Sequence, residues 1–209
     1  MSTLSEVDHE LAALMASGDY EALEEYLQRQ REANKDAIIE RSDEVNTWRE
    51  LLHLTGVSPG RNELPVLLAD LCYEGWFVFR PDELAPAIED AWTGSEFPLR
   101  QVEMAFWLEL FEETGFIYNT VSDEAARPRE PITLYRGATQ DAAAGMSWTD
   151  RVEEAQWFAD RFPHLVCKVW TAQVEPSRLL AHFHDPGKSR GEWEWVVDSH
   201  GLTVEQLSP

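Results

Sequence analysis

The segment Glu192-Trp193-Glu194-Trp195 alternates carboxylates with large apolar side chains. Such alternation is typical of a β-strand, in which successive side chains point to opposite faces. The tryptophans then share a face that favours burial, and the glutamates share the other. Neighbouring carboxylates repel each other, and pairs of this kind can divide acid and base roles in catalysis. A solvated acidic face of an edge strand explains the same pattern.

A second segment, Leu134-Tyr135-Arg136-Gly137, places an arginine at the end of an apolar strand and a glycine directly after it. The planar guanidinium of Arg136 suits phosphate, because its fork of N–H groups binds two oxygens at once. Gly137 has no side chain, so a flat ligand can approach its backbone closely. An ordinary ion pair with one of the many carboxylates accounts equally well for Arg136.

The third segment, Ser147-Trp148-Thr149, indicates an extended piece that turns into a helix. Thr149 or Asp150 is expected to cap that helix, because short polar side chains accept hydrogen bonds from its first N–H groups. Capping leaves Ser147 unexplained, and its hydroxyl is placed to orient a neighbouring arginine or glutamate. We expect Trp148, which lies inside this segment, to line a ligand pocket.

The histidines and cysteines are the candidate metal ligands of the sequence. His182 and His184 are spaced to share a strand face, which is a spacing that can bind metal. The sequence offers them no evident third ligand, and Cys72 and Cys167 are too few for a zinc site or a disulfide framework. We therefore predict no metal, and reduced thiols.

The elements that would position these residues form a mixed α/β unit over 132–209. Helical spacing predicts a helix from Asp150 to Arg161, on which Ala155, Phe158 and Ala159 share a face. An exposed loop is expected over 185–191, which is rich in Pro, Gly and Ser. The predicted strands cover residues 132–136, 165–174, 178–184, 192–197 and 202–207.

Residues 1–120 are interpreted as an acidic helical region, because their apolar residues recur at helical spacing. Residues 121–131 contain two prolines and few apolar side chains, and are the predicted linker. Charge separates the two parts. Residues 1–131 hold 10 Lys and Arg against 28 Asp and Glu, a net −18, and the remainder holds 7 against 11, a net −4.

Composition limits the class of protein. The 209 residues are 44% hydrophobic and carry a net charge of −22. That apolar fraction excludes wholesale disorder, and the charge disfavours direct binding to nucleic acid or anionic membranes. No signal peptide and no apolar run of membrane-spanning length is evident. We therefore predict a soluble cytoplasmic protein.

The order of the three segments resembles the mono-ADP-ribosyltransferases of the Arg-Ser-Glu class. That family carries an arginine on its first core strand, a Ser-Thr-Ser stretch on the second and a Glu-x-Glu or Gln-x-Glu on a later strand. The resemblance covers about residues 131–209. It implies an α+β chain, in which the helical N-terminal region precedes a small ADP-ribosyltransferase-like split β-sheet domain over 132–209.

The resemblance also implies residue roles and NAD as substrate. Arg136 would hold the NAD diphosphate, the Gly137 backbone would bind the nicotinamide amide, and Ser147 would position the catalytic glutamate. Glu194 would be that glutamate, bonded to the 2′-hydroxyl of the nicotinamide ribose, and Glu192 would orient or deprotonate the acceptor. The cofactor-binding set implied in this way is Arg136, Gly137, Ser147, Trp148, Thr149 and Phe158.

Only 11 positions separate Arg136 from Ser147, and the candidate domain has 79 residues counted from Pro131. We therefore expect the helical region to supply the second wall of an NAD pocket. The implied reaction cleaves the nicotinamide–ribose bond and transfers ADP-ribose to a protein, with arginine favoured, to a nucleotide, or to water. Transfer to water would make the protein an NAD glycohydrolase.

A second hypothesis uses the charge instead of the motifs. The −18 region would dock on a basic partner or mimic nucleic acid, and the C-terminal part would be catalytically inactive. Binding of that kind collapses at high ionic strength, because salt screens exposed charges. It also predicts that changing Glu194 to glutamine has no effect.

Overall fold

A computed structural model describes residues 3–185 and 192–207. The chain is α+β, and most of its helices precede the strands. None of the helices described is both long and apolar enough to cross a membrane. The helices are α1 (Thr3–Ser17), α2 (Tyr20–Glu40), α3 (Trp48–Leu51), α4 (Leu64–Tyr73), α5 (Leu84–Gly94), α6 (Pro98–Gln101), α7 (Met104–Thr114) and α8 (Val152–Asp160).

Eight short strands, as described, form two sheets. They are β1 (Ile117–Tyr118), β2 (Val121–Ser122), β3 (Ile132–Ala138), β4 (Ser147–Trp148), β5 (Lys168–Val174), β6 (Leu179–Asp185), β7 (Glu192–Val197) and β8 (Glu205–Gln206). Sheet A has the order β2-β1-β6-β7-β4, and sheet B has the order β3-β5-β8. Strands β1 and β6 run parallel, whereas the other pairs are antiparallel.

Several predicted boundaries move. Strand β3 extends to Ala138, because its whole length pairs with β5. Strand β5 begins at Lys168 rather than at residue 165, and the last strand is only Glu205–Gln206. Helix α8 starts two residues later than predicted, at Val152. The loop predicted over 185–191 lies, apart from Asp185, outside the described residues.

The segment predicted as a linker, 121–131, takes part in the sheet. It contains β2 and a single 3₁₀ turn, Glu124–Ala126, and β2 pairs with β1. Strand β1 in turn pairs with β6, in register Ile117 with Ala181. The chain therefore enters sheet A before the predicted linker begins, and the proposed division into domains stays a prediction.

Sheet A lies between the helices and sheet B. On one face, Val196 and Phe183 belong to the same buried cluster as the apolar side chains of α4, α5 and α7. On the opposite face, Trp195 and Val197 pack with Leu134 of sheet B. Helix α8 covers the other side of sheet B. Because strand side chains alternate, each face of β7 meets a different layer of the protein.

Candidate functional site

Three strands bring the predicted arginine, serine and second glutamate to one place. The Arg136 guanidinium on β3 donates through Nη1 to the main-chain oxygen of Ser147 on β4. Ser147 stands opposite Val196 in the antiparallel pairing of β4 with β7. Glu194 lies two residues before Val196 on the same face of β7. Its carboxylate interacts electrostatically with the Arg136 guanidinium.

Arg136 is a half-buried cation fixed by the chain that follows β3. Its Nε donates to the Ala142 oxygen at 3.1 Å, in addition to the bond from Nη1 to Ser147. Burial lowers the pKa of Arg136, and the Glu194 carboxylate opposes that lowering. A guanidinium remains protonated under such conditions. The site therefore contains a permanent, oriented positive charge.

Glu194 also receives a hydrogen bond from the helical region. The indole Nε1 of Trp92, on α5, donates to Glu194 Oε1 at 2.8 Å. Trp92 is 2% exposed and packs edge-to-face on Trp107 and Phe111, with ring centroids 5.0 and 5.7 Å away. The carboxylate thus contacts a side chain from a helix more than a hundred residues away in sequence.

The pairing between sheets A and B ends next to Gly137. Tyr135 and Thr149 exchange two backbone hydrogen bonds, of 2.7 and 2.9 Å, and this bridge joins β3 to β4. The Gly137 peptide groups point toward β4 like those of Tyr135, because backbone orientation repeats every two residues. A continued ladder would use the Ser147 oxygen, which instead accepts from Arg136. The Gly137 backbone edge therefore faces the side of β3 on which β4 lies, next to the bridge.

Glycine at position 137 is also required by packing. A Cβ there would overlap the main chain of α8 at Ala155 and Ala159, and the Cβ of Phe158. The sequence predicts a glycine here so that a ligand can approach the backbone closely. On its α-carbon side, the structure shows close approach of helix α8 instead.

Trp148 and Thr149 make their contacts within the protein core and the turn before α8. Trp148 is 3% exposed within the core between the sheets, and its indole donates to the Gly145 oxygen at 2.6 Å, so little of it is left for a ligand. The Thr149 hydroxyl donates to Glu154 at 3.1 Å and accepts from the Arg151 N–H at 3.2 Å. Thr149 therefore fixes the turn that precedes α8. Their roles toward NAD stay predictions.

The two remaining predicted site residues, Phe158 and Glu192, have fewer contacts that bear on a ligand. Phe158 is about half exposed on α8 and meets Trp157 edge-to-face. Glu192 pairs through its backbone with Asp185 in the β6–β7 ladder. The side chain of Glu192 lies outside the described residues, so its role toward an acceptor stays a prediction.

The opposite face of β7 carries an aromatic stack. The His182 ring lies 3.9 Å from that of Trp195, and the His184 ring lies 3.4 Å from that of Trp193, measured between centroids. Burial lowers the pKa of His182 to about 4. The two histidines share a face, as predicted, with centroids 6.1 Å apart. Within the described part of the chain, no group of three or more His, Cys, Asp or Glu is placed to hold a metal ion.

Sequence reasoning missed Trp92. It is one of nine tryptophans, and the apolar face of α5 explains its burial without any role for its N–H group.

No family model, curated protein or solved structure matches this chain. The function is therefore inferred from the residues and their geometry.

Proposed function

We propose that this protein is an NAD-dependent mono-ADP-ribosyltransferase that cleaves the nicotinamide–ribose bond. The observation that carries the proposal is the meeting of Arg136, Ser147 and Glu194. Their three strands are separated in sequence, yet a hydrogen bond, a strand register and an electrostatic interaction connect them. Arginine, serine and glutamate in this order are also the residues by which the chain resembles that family.

The surroundings of these residues suit the parts of NAD. The half-buried Arg136 guanidinium supplies a fixed positive charge for the diphosphate. The Gly137 backbone directs one N–H and one C=O toward the β4 side of β3, by the same alternation that pairs Tyr135 with Thr149. A primary amide such as that of nicotinamide presents the complementary acceptor and donor, so it can form two hydrogen bonds with one peptide edge.

Glu194 would act on the ribose. As the glycosidic bond breaks, nicotinamide leaves with the bonding electron pair, and positive charge builds on the ribose as in glycoside hydrolysis. A carboxylate held at the 2′-hydroxyl stabilises that charge more in the transition state than in the ground state. The acceptor then bonds to the anomeric carbon and gives up a proton, for which Glu192 is the candidate base.

The architecture is consistent with an ADP-ribosyltransferase-like fold. Among the described residues, two sheets joined by one isolated bridge resemble the split sheet that the family likeness implies. The helices pack against the face of sheet A that carries Glu194. This arrangement supports the helical region as the second wall of the NAD site.

Nicotinamide release by the full chain tests the proposal. We expect wild type to release nicotinamide from NAD, and Glu194→Gln to lower the rate about 10²–10³-fold. Glu205→Gln is the matched control, because Glu205 is an exposed strand glutamate on sheet B. Wild type that releases no nicotinamide, or a Glu194→Gln variant as active as wild type, would contradict the proposal.

The acceptor is identified by the same reaction with labelled NAD and cell lysate. Label on protein or on nucleotide defines a transferase for that acceptor, and arginine is the favoured protein side chain. Free ADP-ribose as the sole product defines an NAD glycohydrolase.

The second candidate is the inactive acidic binding protein, which the net charge of −18 over residues 1–131 favours. It predicts a basic partner whose binding is lost at high salt and is unchanged by Glu194→Gln. The nicotinamide assay separates the two functions, because an inactive protein releases none.

A further inference from the structure

We infer that Trp92 is a positioning residue that orients the Glu194 carboxylate, so that the helical region completes the active site. This inference rests on the proposed function, since it assigns a role in NAD cleavage to a residue outside the resemblance. It gives the helices a part in the chemistry itself rather than only in covering the site.

The hydrogen bond has the features of a strong one. Trp92 Nε1 lies 2.8 Å from Glu194 Oε1, which is within the usual range for an N–H donor and an oxygen acceptor. A donor that faces an ionised carboxylate in a partly buried place forms a charge-assisted bond, roughly twice as strong as a neutral one. The bond also assigns one carboxylate oxygen to the protein.

The indole is held rigidly. Trp92 is buried in the cluster formed by α4, α5 and α7. It packs edge-to-face on Trp107 at an interplanar angle of 87° and on Phe111 at 74°. The indole cannot turn to follow a moving carboxylate without disturbing this cluster. The direction of the N–H group is therefore set by the helices, and Glu194 must adapt to it.

Trp107 provides a contrast within the same cluster. It is fully buried beside Trp92, and its indole nitrogen has no hydrogen-bond partner among the described residues. Both tryptophans contribute apolar area to the core, but only Trp92 reaches the carboxylate. Replacing either one by phenylalanine has a similar packing cost, whereas only Trp92→Phe removes the donor to Glu194.

Loss of the donor should affect turnover more than binding. Without the N–H group, Glu194 is less well oriented toward the ribose and its ionised form loses a stabilising partner. The diphosphate contact assigned to Arg136 is left intact. We therefore expect kcat to fall about 10–100-fold, as for loss of one hydrogen bond to a charged group, with KM for NAD within about threefold of wild type. The acid limb of the pH–rate profile should move to higher pH.

The test compares Trp92→Phe with Trp107→Phe in the full chain. Nicotinamide release is measured over a range of NAD concentrations and pH, and thermal unfolding is recorded for each variant. The inference predicts the loss of kcat and the shifted acid limb in Trp92→Phe alone. Equal effects in the two variants, or a fall in kcat without the shifted limb, would overturn it. Wild type that releases no nicotinamide overturns the proposed function instead.

A spectroscopic measurement keeps the inference testable if Trp92→Phe does not fold. Indole N–H resonances of ¹⁵N-labelled wild type and Glu194→Gln are compared by NMR. Replacing the ionised acceptor by a neutral amide should move one resonance strongly upfield, because hydrogen bonds to charged acceptors are stronger. An indole spectrum that does not change would overturn the inference.

Discussion

The two faces of strand β7 differ in what covers them and in what they contain. The face toward the helices carries Glu194 and Val196, and a hydrogen bond from Trp92 reaches the carboxylate across that interface. The face toward sheet B and its flank carries Trp193 and Trp195, which stack on histidines of β6. The face toward the helices thus combines apolar packing with a hydrogen-bonded carboxylate, whereas the opposite face consists mainly of stacked aromatic rings.

This difference separates the two kinds of contribution that a single strand makes. Apolar and aromatic contacts stabilise the fold in proportion to the area that they remove from water. An oriented carboxylate removes little apolar area from water, but it can stabilise charge that develops in a substrate. We therefore expect substitutions on the two faces to have different consequences, even at adjacent positions.

Trp195→Ala should have the largest effect on stability. Its side chain is 7% exposed in the core between the sheets, so truncation leaves a large cavity. The free energy of unfolding should fall by about 3–5 kcal/mol, measured by denaturant titration. Glu194→Gln, one position away on the other face, should lose less, because glutamine fills the same space and still accepts the Trp92 hydrogen bond. Equal losses in the two variants would remove the distinction between the faces.

Gly137→Ala should have the next largest effect. The new methyl group would meet the backbone of α8, which cannot move aside as the end of a side chain can. We expect a loss of about 1–3 kcal/mol or more in the free energy of unfolding. Gly94→Ala is the control, because its Cβ would lie 3.4 Å from a terminal methyl of Leu64. If the denaturant midpoint of unfolding is the same for Gly137→Ala as for wild type, the packing role of this glycine is refuted.

The last prediction concerns pH and the histidines that stack on Trp193 and Trp195. Burial lowers the pKa of His182 from 6.5 to about 4, with a further lowering by His184 and an opposing effect of Asp150. The unfolded chain therefore binds a proton before the folded chain does. This contribution to stability is complete above about pH 6.5 and is lost as the pH falls toward 4.

Denaturant unfolding between pH 7 and pH 4 measures this contribution. Wild type should lose more stability over that range than His182→Phe, which keeps a ring on Trp195 but does not titrate. Parallel pH profiles for the two proteins would show that His182 is not the group responsible.

Much of the C-terminal part could be predicted from local pattern. Alternating residues predicted the separation of Glu194 from Trp195, and helical spacing predicted α8. Strands β1 and β2 were missed because each spans two residues, too few to show a period. Their pairing also depends on a parallel contact with β6, which is distant in sequence. Such pairing is decided by packing rather than by local preference.

Only part of the candidate site could be predicted from the sequence. Arg136, Ser147 and Glu194 could be proposed because their order resembles a family pattern. Trp92 could not, since nothing in its neighbourhood distinguishes a tryptophan that donates a hydrogen bond from one that only fills the core. Trp148 shows the reverse. Its place in the segment Ser147-Trp148-Thr149 suggested a ligand, and its burial is explained by the core between the sheets.

The most direct test of the central claim is a crystal structure of Glu194→Gln with NAD bound. The account predicts the diphosphate at Arg136, the nicotinamide amide on the Gly137 backbone and the nicotinamide ribose beside position 194. NAD bound elsewhere on the protein, or crystals soaked at saturating NAD that show no NAD beside these residues, would contradict it.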